Sequence, residues 1–176
     1  MRYLRGTTEL FLTLCATSPT IPKWYVDGSH TSHPDMRGQS GGGLTLGKGM
    51  SITGSTKQKL NTRSSTETEL VAADDFMPII LWTNHFLAAQ GYDTSDAVLF
   101  QDNQSAILLE KNGRKSSGKR TKHLNVRYFF ITDRIREKDF KVEYCPTGEM
   151  IGDFFTKPLQ GQLFIKFQQL IMNLKH

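Results

Sequence analysis

The sequence predicts an α/β fold: a mixed five-stranded sheet, three antiparallel strands followed by two parallel ones, with helices on both faces. Two observations carry this. Three short strand-like stretches follow one another early in the 176-residue chain with only loops between them, and the next two alternate with helical stretches. Strands joined directly form an antiparallel meander, whereas strands separated by helices need crossovers that lay those helices on a sheet. Size agrees, because a chain of this length, 38% hydrophobic and 22% charged, can build one domain around one core.

The opening, MRYLRGTTELFLTLCATS, sets Arg2 and Arg5 ahead of a short apolar run that Glu9 interrupts, so it is not expected to act as a secretory leader. No stretch reaches the length needed to cross a membrane. Cys15 and Cys145 lie far apart and form no paired metal-ligand pattern, which fits a reduced intracellular setting. KWYVDGSH (23–30) reads as a short buried strand ending in polar residues, and GGGLTLGKG (41–49) and MSITGSTKQK (50–59) read as two more.

From Ser64 the period changes. Ser64 with Glu67 and Thr66 with Glu69 are overlapping capping-box signals, so a long helix is expected towards Gly91, kinked or interrupted at Pro78. AVLFQD (97–102) is a near-continuous apolar run suited to a central strand. NQSAILLEKNG (103–113) follows as a short helix between Asn103 and Gly113. Leu124, Tyr128, Ile131 and Ile135 recur at helical spacing in the next element. FKVEYC then alternates Phe140, Val142 and Tyr144 inward against Lys141 and Glu143. EMIGDFF is expected to start a helix stopped by Pro158. The last stretch, within 161–176, is an amphipathic helix with Leu163, Phe167, Leu170 and Leu174 on one stripe.

Charge raises the functional question. The chain is basic overall, with a formal net charge of +5, yet TETELVAADD (66–75) holds four carboxylates in ten residues. A helix turns about 100° per residue. Glu69 therefore shares a face with Ala72, Ala73, Phe76, Ile80 and Leu87, which must point at the sheet. Glu67 falls with Asp74, Asn84 and His85 on what reads as a solvated side, and Asp75 lies about 120° from Glu69. Glu67, Asp74 and Asp75 are expected to be dispensable. Asp27 and Asp102 end apolar strands, and Asp153 opens a late helix. Each acid alone is an ordinary cap or solvated group, but four inward acids from four elements suit hard divalent cations and phosphate chemistry.

The stretches YVDGSH, TGSTKQKLNTRSSTETEL, LFQDNQSAI, KRTKHLNVRYFF and DFFTKPL, spread over about residues 24–160, strongly resemble the ribonuclease H domain of copia-type retrotransposon polyproteins. The resemblance implies a ribonuclease H-like domain over 23–160. MRYLRGT resembles the end of an adjoining reverse transcriptase, so 1–22 is expected to be a remnant of that segment. Carried over residue by residue, the catalytic, metal-binding carboxylates fall on Asp27, Glu69, Asp102 and Asp153, holding two Mg²⁺ ions with Mn²⁺ as a substitute. In related enzymes the first Asp bridges both ions, the last helps hold the ion that carries the water, and the other two favour the leaving-group ion. The expected activity is hydrolysis of the RNA strand of RNA–DNA hybrids to 5′-phosphate and 3′-hydroxyl ends, without a small-molecule cofactor. The reverse transcriptase domain of the same polyprotein would be a partner, and the setting a cytoplasmic virus-like particle or the nucleus.

The chain departs from many cellular ribonucleases H in having no His in the loop before its last acid, CPTGEMIG, where Glu149 is the substitute at hand. From Lys111 to Arg127 there are seven basic residues and no acidic one. Lys119, Arg120, Lys122, His123 and Arg127 are candidates for tracking phosphates of the hybrid, and Ser64, Ser65, Asn103 and Gln104 for contacts to sugar or phosphate. Two rival readings are a catalytically inactive nucleic-acid-binding module of the polyprotein and a DNA transposase or integrase with the same carboxylate chemistry.

Overall fold

The structure is a computed structural model that describes residues 5–113 and 125–174, apart from the side chains of 125–128. The strands are β1 (Cys15–Ala16), β2 (Lys23–Ser29), β3 (Gln39–Thr45), β4 (Gly47–Lys48), β5 (Ile52–Lys57), β6 (Val98–Gln101) and β7 (Lys141–Tyr144). The α-helices are α1 (Ser65–Ala89), α2 (Gln104–Asn112), α3 (Asn125–Arg136) and α4 (Gly161–Met172), and two 3₁₀ turns cover Thr147–Glu149 and Ile151–Phe155.

Five strands form the sheet in the order β5-β3-β2-β6-β7. The pairs β2–β3 and β3–β5 are antiparallel, and β2–β6 and β6–β7 are parallel. This is the arrangement expected from direct loops early in the chain and helical crossovers later. β2 lies at the centre and is covered on both sides. Trp24 and Val26 face α1 in a core with Ala72, Ala73, Phe76, Ile80, Leu99, Ile131 and Val142. Tyr25 faces the other way, towards Met50, Ile151 and Phe167.

Several local expectations change. The helix α1 runs unbroken through Pro78. Pro78 is exposed, so the carbonyl that lacks its usual donor lies on a side where water can serve it. Tyr144 is 49% exposed rather than inward, because it ends an edge strand past the core cluster that stops at Val142. EMIGDFF takes the end of one 3₁₀ turn and the whole of a second, in a stretch too broken by Pro146, Gly148 and Gly152 for a regular helix. On α4 the packed row is buried Phe167 with partly buried Leu163 and Ile171, and Leu170 is exposed. The i, i+4 row won over the mixed spacing.

A short ladder not foreseen pairs Cys15 with Lys48 and Ala16 with Gly47. Beside it, Thr13 N donates to Met172 O at 3.0 Å, and Asn173 Nδ2 donates to Thr13 O at 3.1 Å. Among the described residues, no helix is long and apolar enough to cross a membrane.

Candidate carboxylate site

The site is built where β6 ends beside β2, which runs on to Ser29. Their parallel register pairs Lys23 with Val98, Trp24 with Leu99 and Tyr25 with Phe100. Continued by two residues, that register sets Asp27 level with Asp102 and on one face of the sheet. Directly below them Tyr25 and Phe100 stack at 4.8 Å.

Glu69 arrives from the opposite layer. It can do so because residue 28 is glycine: a Cβ there would lie 2.6 Å from Thr68 O and force α1 away from the strand. With the helix seated, Gly28 N donates to Glu69 Oε2 at 3.1 Å. One carboxylate oxygen each from Asp27, Glu69 and Asp102 then lie within 4.8 Å of one another. Asp27 and Glu69 are almost fully buried, and Asp102 is half-buried.

Asp153 is not in that group of three, but it is linked to it. Its 3₁₀ turn packs against the sheet with Gly152 over Asp27, and Ser55 Oγ donates to Phe155 O at 2.5 Å to pin it. Lys157, one turn on, sets its ammonium 2.6 Å from Asp153 Oδ1 and 3.4 Å from Asp27 Oδ1. Thr156 Oγ1 donates to Asp27 Oδ2, a contact that Gly41 permits by leaving room for the threonine methyl. Thr147 Oγ1 donates to Asp102 Oδ2 at 2.9 Å.

The electrostatics follow from burial. Desolvation first, then repulsion from Asp27 and Asp102, pushes the Glu69 carboxyl well above its ordinary value. Desolvation pushes Asp153 up to about 6, against the hydrogen bond from Lys157. Burial alone would lower the Lys157 ammonium, but Asp27, Asp153 and Asp102 outweigh it and hold it above its ordinary value. The cluster thus carries more negative charge than one ammonium balances.

An open groove of about 470 Å³ runs over the site, lined by Gly28, Ser29, His30, Ser65, Glu69, Asp102, Asn103, Gln104, Ser105 and Lys157. Both α1 and α2 begin at this groove, so their N-terminal amides favour an anionic ligand there. Among the described residues, one larger hollow is lined by no carboxylate and another by Asp96 and Glu143, so neither touches any of the four acids.

Of the other residues singled out in the sequence, Ser65, Asn103 and Gln104 line the groove. Ser64 and Asn103 are helix caps whose oxygens already accept from Glu67 N and Ala106 N. Glu149 is exposed. Lys119, Arg120, Lys122 and His123 lie outside the described residues, as does the side chain of Arg127.

Glu67 differs from expectation. It is buried, not solvated, because its carboxylate turns back to accept Arg63 N at 2.7 Å while its own N–H donates to Ser64 Oγ. Asn84, assigned to the same solvated side, is also buried and donates to Asp139 O.

Sequence reasoning misses Lys157, Thr156 and His30 as site residues. Spacing holds a signal for the first two, since residues three and four after Asp153 return to its side of a helical turn. His30 holds none, for its ring is anchored by Thr62 and Thr68, which are remote in sequence.

The chain is 34% identical over 172 residues, 97% of its length, to the retrovirus-related Pol polyprotein from transposon TNT 1-94 of Nicotiana tabacum. It is 28% identical over 173 residues to the corresponding polyprotein from transposon RE2 of Arabidopsis thaliana. It spans only 13% and 12% of these two relatives. Among solved structures it is similar to LC11-RNase H1 in complex with RNA/DNA hybrid, with a TM-score of 0.54 and 12% identity over 77% of this chain and 93% of that one. A second structure of LC11-RNase H1, isolated from compost, gives a TM-score of 0.50 and 13% identity over 73% and 86%. No protein-family model matches the chain.

Proposed function

Because the chain is homologous to the retrovirus-related Pol polyproteins of plant copia-like transposons and has a ribonuclease H-like fold, we propose that it hydrolyses the RNA strand of RNA–DNA hybrids during reverse transcription of such an element. The observation that carries this reading is the convergence of Asp27, Glu69 and Asp102, with one oxygen each inside 4.8 Å, beside a groove that begins two helices.

Hard oxygen donors at this spacing suit a divalent cation. Desolvation and then mutual repulsion raise Glu69, and such an ion would relieve the repulsion. Two ions, Mg²⁺ or Mn²⁺, held by Asp27, Glu69, Asp102 and Asp153, would supply Lewis-acid activation of a water and neutralise charge on the leaving oxygen. The protein's own groups prepare the place. Gly28 N–H orients Glu69, Thr156 orients Asp27, and Thr147 orients Asp102. Ser65, Gln104 and the amides at the two helix starts face the groove where a sugar–phosphate backbone would run. Cleavage would leave 5′-phosphate and 3′-hydroxyl ends. The polymerase part of the polyprotein is the natural partner, and a cytoplasmic particle or the nucleus the natural setting.

The test is cleavage of end-labelled RNA in a hybrid, with Mg²⁺ and with chelator. Metal-dependent cutting of the RNA strand is expected, and Asp102→Asn should lower it by at least about a hundredfold while the fold persists. An intact hybrid with either Mg²⁺ or Mn²⁺ would sink the reading in favour of a binding module. Cutting of duplex DNA instead would favour a transposase-like activity.

A further inference from the structure

Lys157 is charged and lies within the acidic cluster. Its ammonium is 2.6 Å from Asp153 Oδ1 and 3.4 Å from Asp27 Oδ1, and its side chain is 37% exposed. With Thr156 Oγ1 on the other oxygen of Asp27, both oxygens of that residue already have partners. The three-carboxylate group of Asp27, Glu69 and Asp102 has no such resident cation on Glu69 or Asp102 among the described residues. The four acids are therefore unequal: the Asp27–Asp153 side is compensated from within, and the Glu69–Asp102 side is not.

From this asymmetry we propose that Lys157 is a built-in counter-ion that occupies the Asp27–Asp153 side, so that the substrate-free protein takes up one divalent ion, and a second must displace the ammonium. The inference rests on the metal-binding reading given above and deepens it. A like charge in a partly buried site opposes a second cation strongly, since Coulomb interactions are weakly screened there. Lys157 has somewhere to go. Besides the carboxylate groove it lines an adjoining hollow with His33, Gln39, Phe154 and Pro158, and either offers an exit. An arriving phosphate would attract the ammonium out of the cluster, coupling the second ion to substrate. Lys157 is thus a positioning residue.

Metal binding decides it, without any turnover. The metal-free chain is titrated with Mn²⁺ in the absence of nucleic acid, by calorimetry and by the Mn²⁺ spin-resonance signal. The wild-type protein should bind one ion tightly. Lys157→Met should bind two, with the second at least about tenfold tighter than any second ion on wild type. Lys157→Arg, which keeps the charge, should behave as wild type. Three results would overturn the proposal: identical isotherms for wild type and Lys157→Met, two equal sites on wild type, or Lys157→Arg matching Lys157→Met. If Lys157→Met does not fold without metal, Mn²⁺ should fold it, and a chain that stays unfolded at saturating Mn²⁺ refutes the idea as well. Hybrid cleavage by wild type and by Asp102→Asn is scored separately, so failure of the nuclease reading and failure of the counter-ion are told apart.

Discussion

At the scale of single residues, the chemistry of burial decides more than identity does. Glu110 on α2 is fully buried, and desolvation pushes it up to about 8, against the nearby Gln101 amide and the Lys111 charge. Among the described residues neither carboxylate oxygen has a well-formed hydrogen-bond partner, nor does the Gln101 side chain. A carboxyl raised in the folded state above its ordinary 4.5 stabilises the fold only while it stays protonated. Its contribution is complete below about pH 4.5 and is lost as pH rises towards 8. Glu110→Gln should therefore flatten the decline in stability between pH 5 and 8 and make the variant the more stable chain at pH 8, as read from urea unfolding at both. Equal slopes for the two proteins would mean that Glu110 is ionised and served by water. Sequence legibility divides along the same line. Glu69 was legible because one apolar helix face singles it out. Lys157 was not, since its meaning depends on Asp27, which lies 130 residues away in the chain.

At the scale of elements, boundaries were legible wherever a cap declares itself. Ser64 and Asn103 each accept the backbone N–H three residues on, as their positions before apolar runs imply. Faces were less legible where a short side chain can curl back. Glu67 reads as solvated by angle alone, yet it closes the first turn of α1 against Arg63 N. Glu67→Ala and Ser64→Ala should each cost about 1 kcal/mol in unfolding experiments, with hybrid cleavage retained below the melting range. Loss of cleavage in folded Glu67→Ala would move the proposed catalytic role from Glu69 to Glu67. Tyr144 and Leu170 fit the expected periods and still face water, because a period fixes direction but not how far the neighbouring layer extends.

At the scale of the whole molecule, the antiparallel and parallel pairing of the five strands followed from which are joined by loops and which by helices. The small ladder of β1 with β4 did not, since two residues carry no pattern. The basic stretch from Lys111 to Arg127 is also a whole-molecule property, for its seven positive charges add to the long-range field. Neutralising Arg120 and Lys122 together should weaken hybrid binding most at low salt. For every phosphate no longer neutralised, the slope of log affinity against log salt should flatten by about 0.9. Single-turnover cleavage at saturating enzyme should hardly change, and unaltered binding at every salt concentration would send the substrate path elsewhere. A last feature concerns mechanics. Thr13 is tied to Met172 and Asn173, so an early and a late segment of the described chain are clasped at one corner. A pull on those two segments would load that small clasp before the five-stranded sheet, leaving Asp27 and Asp102 in register.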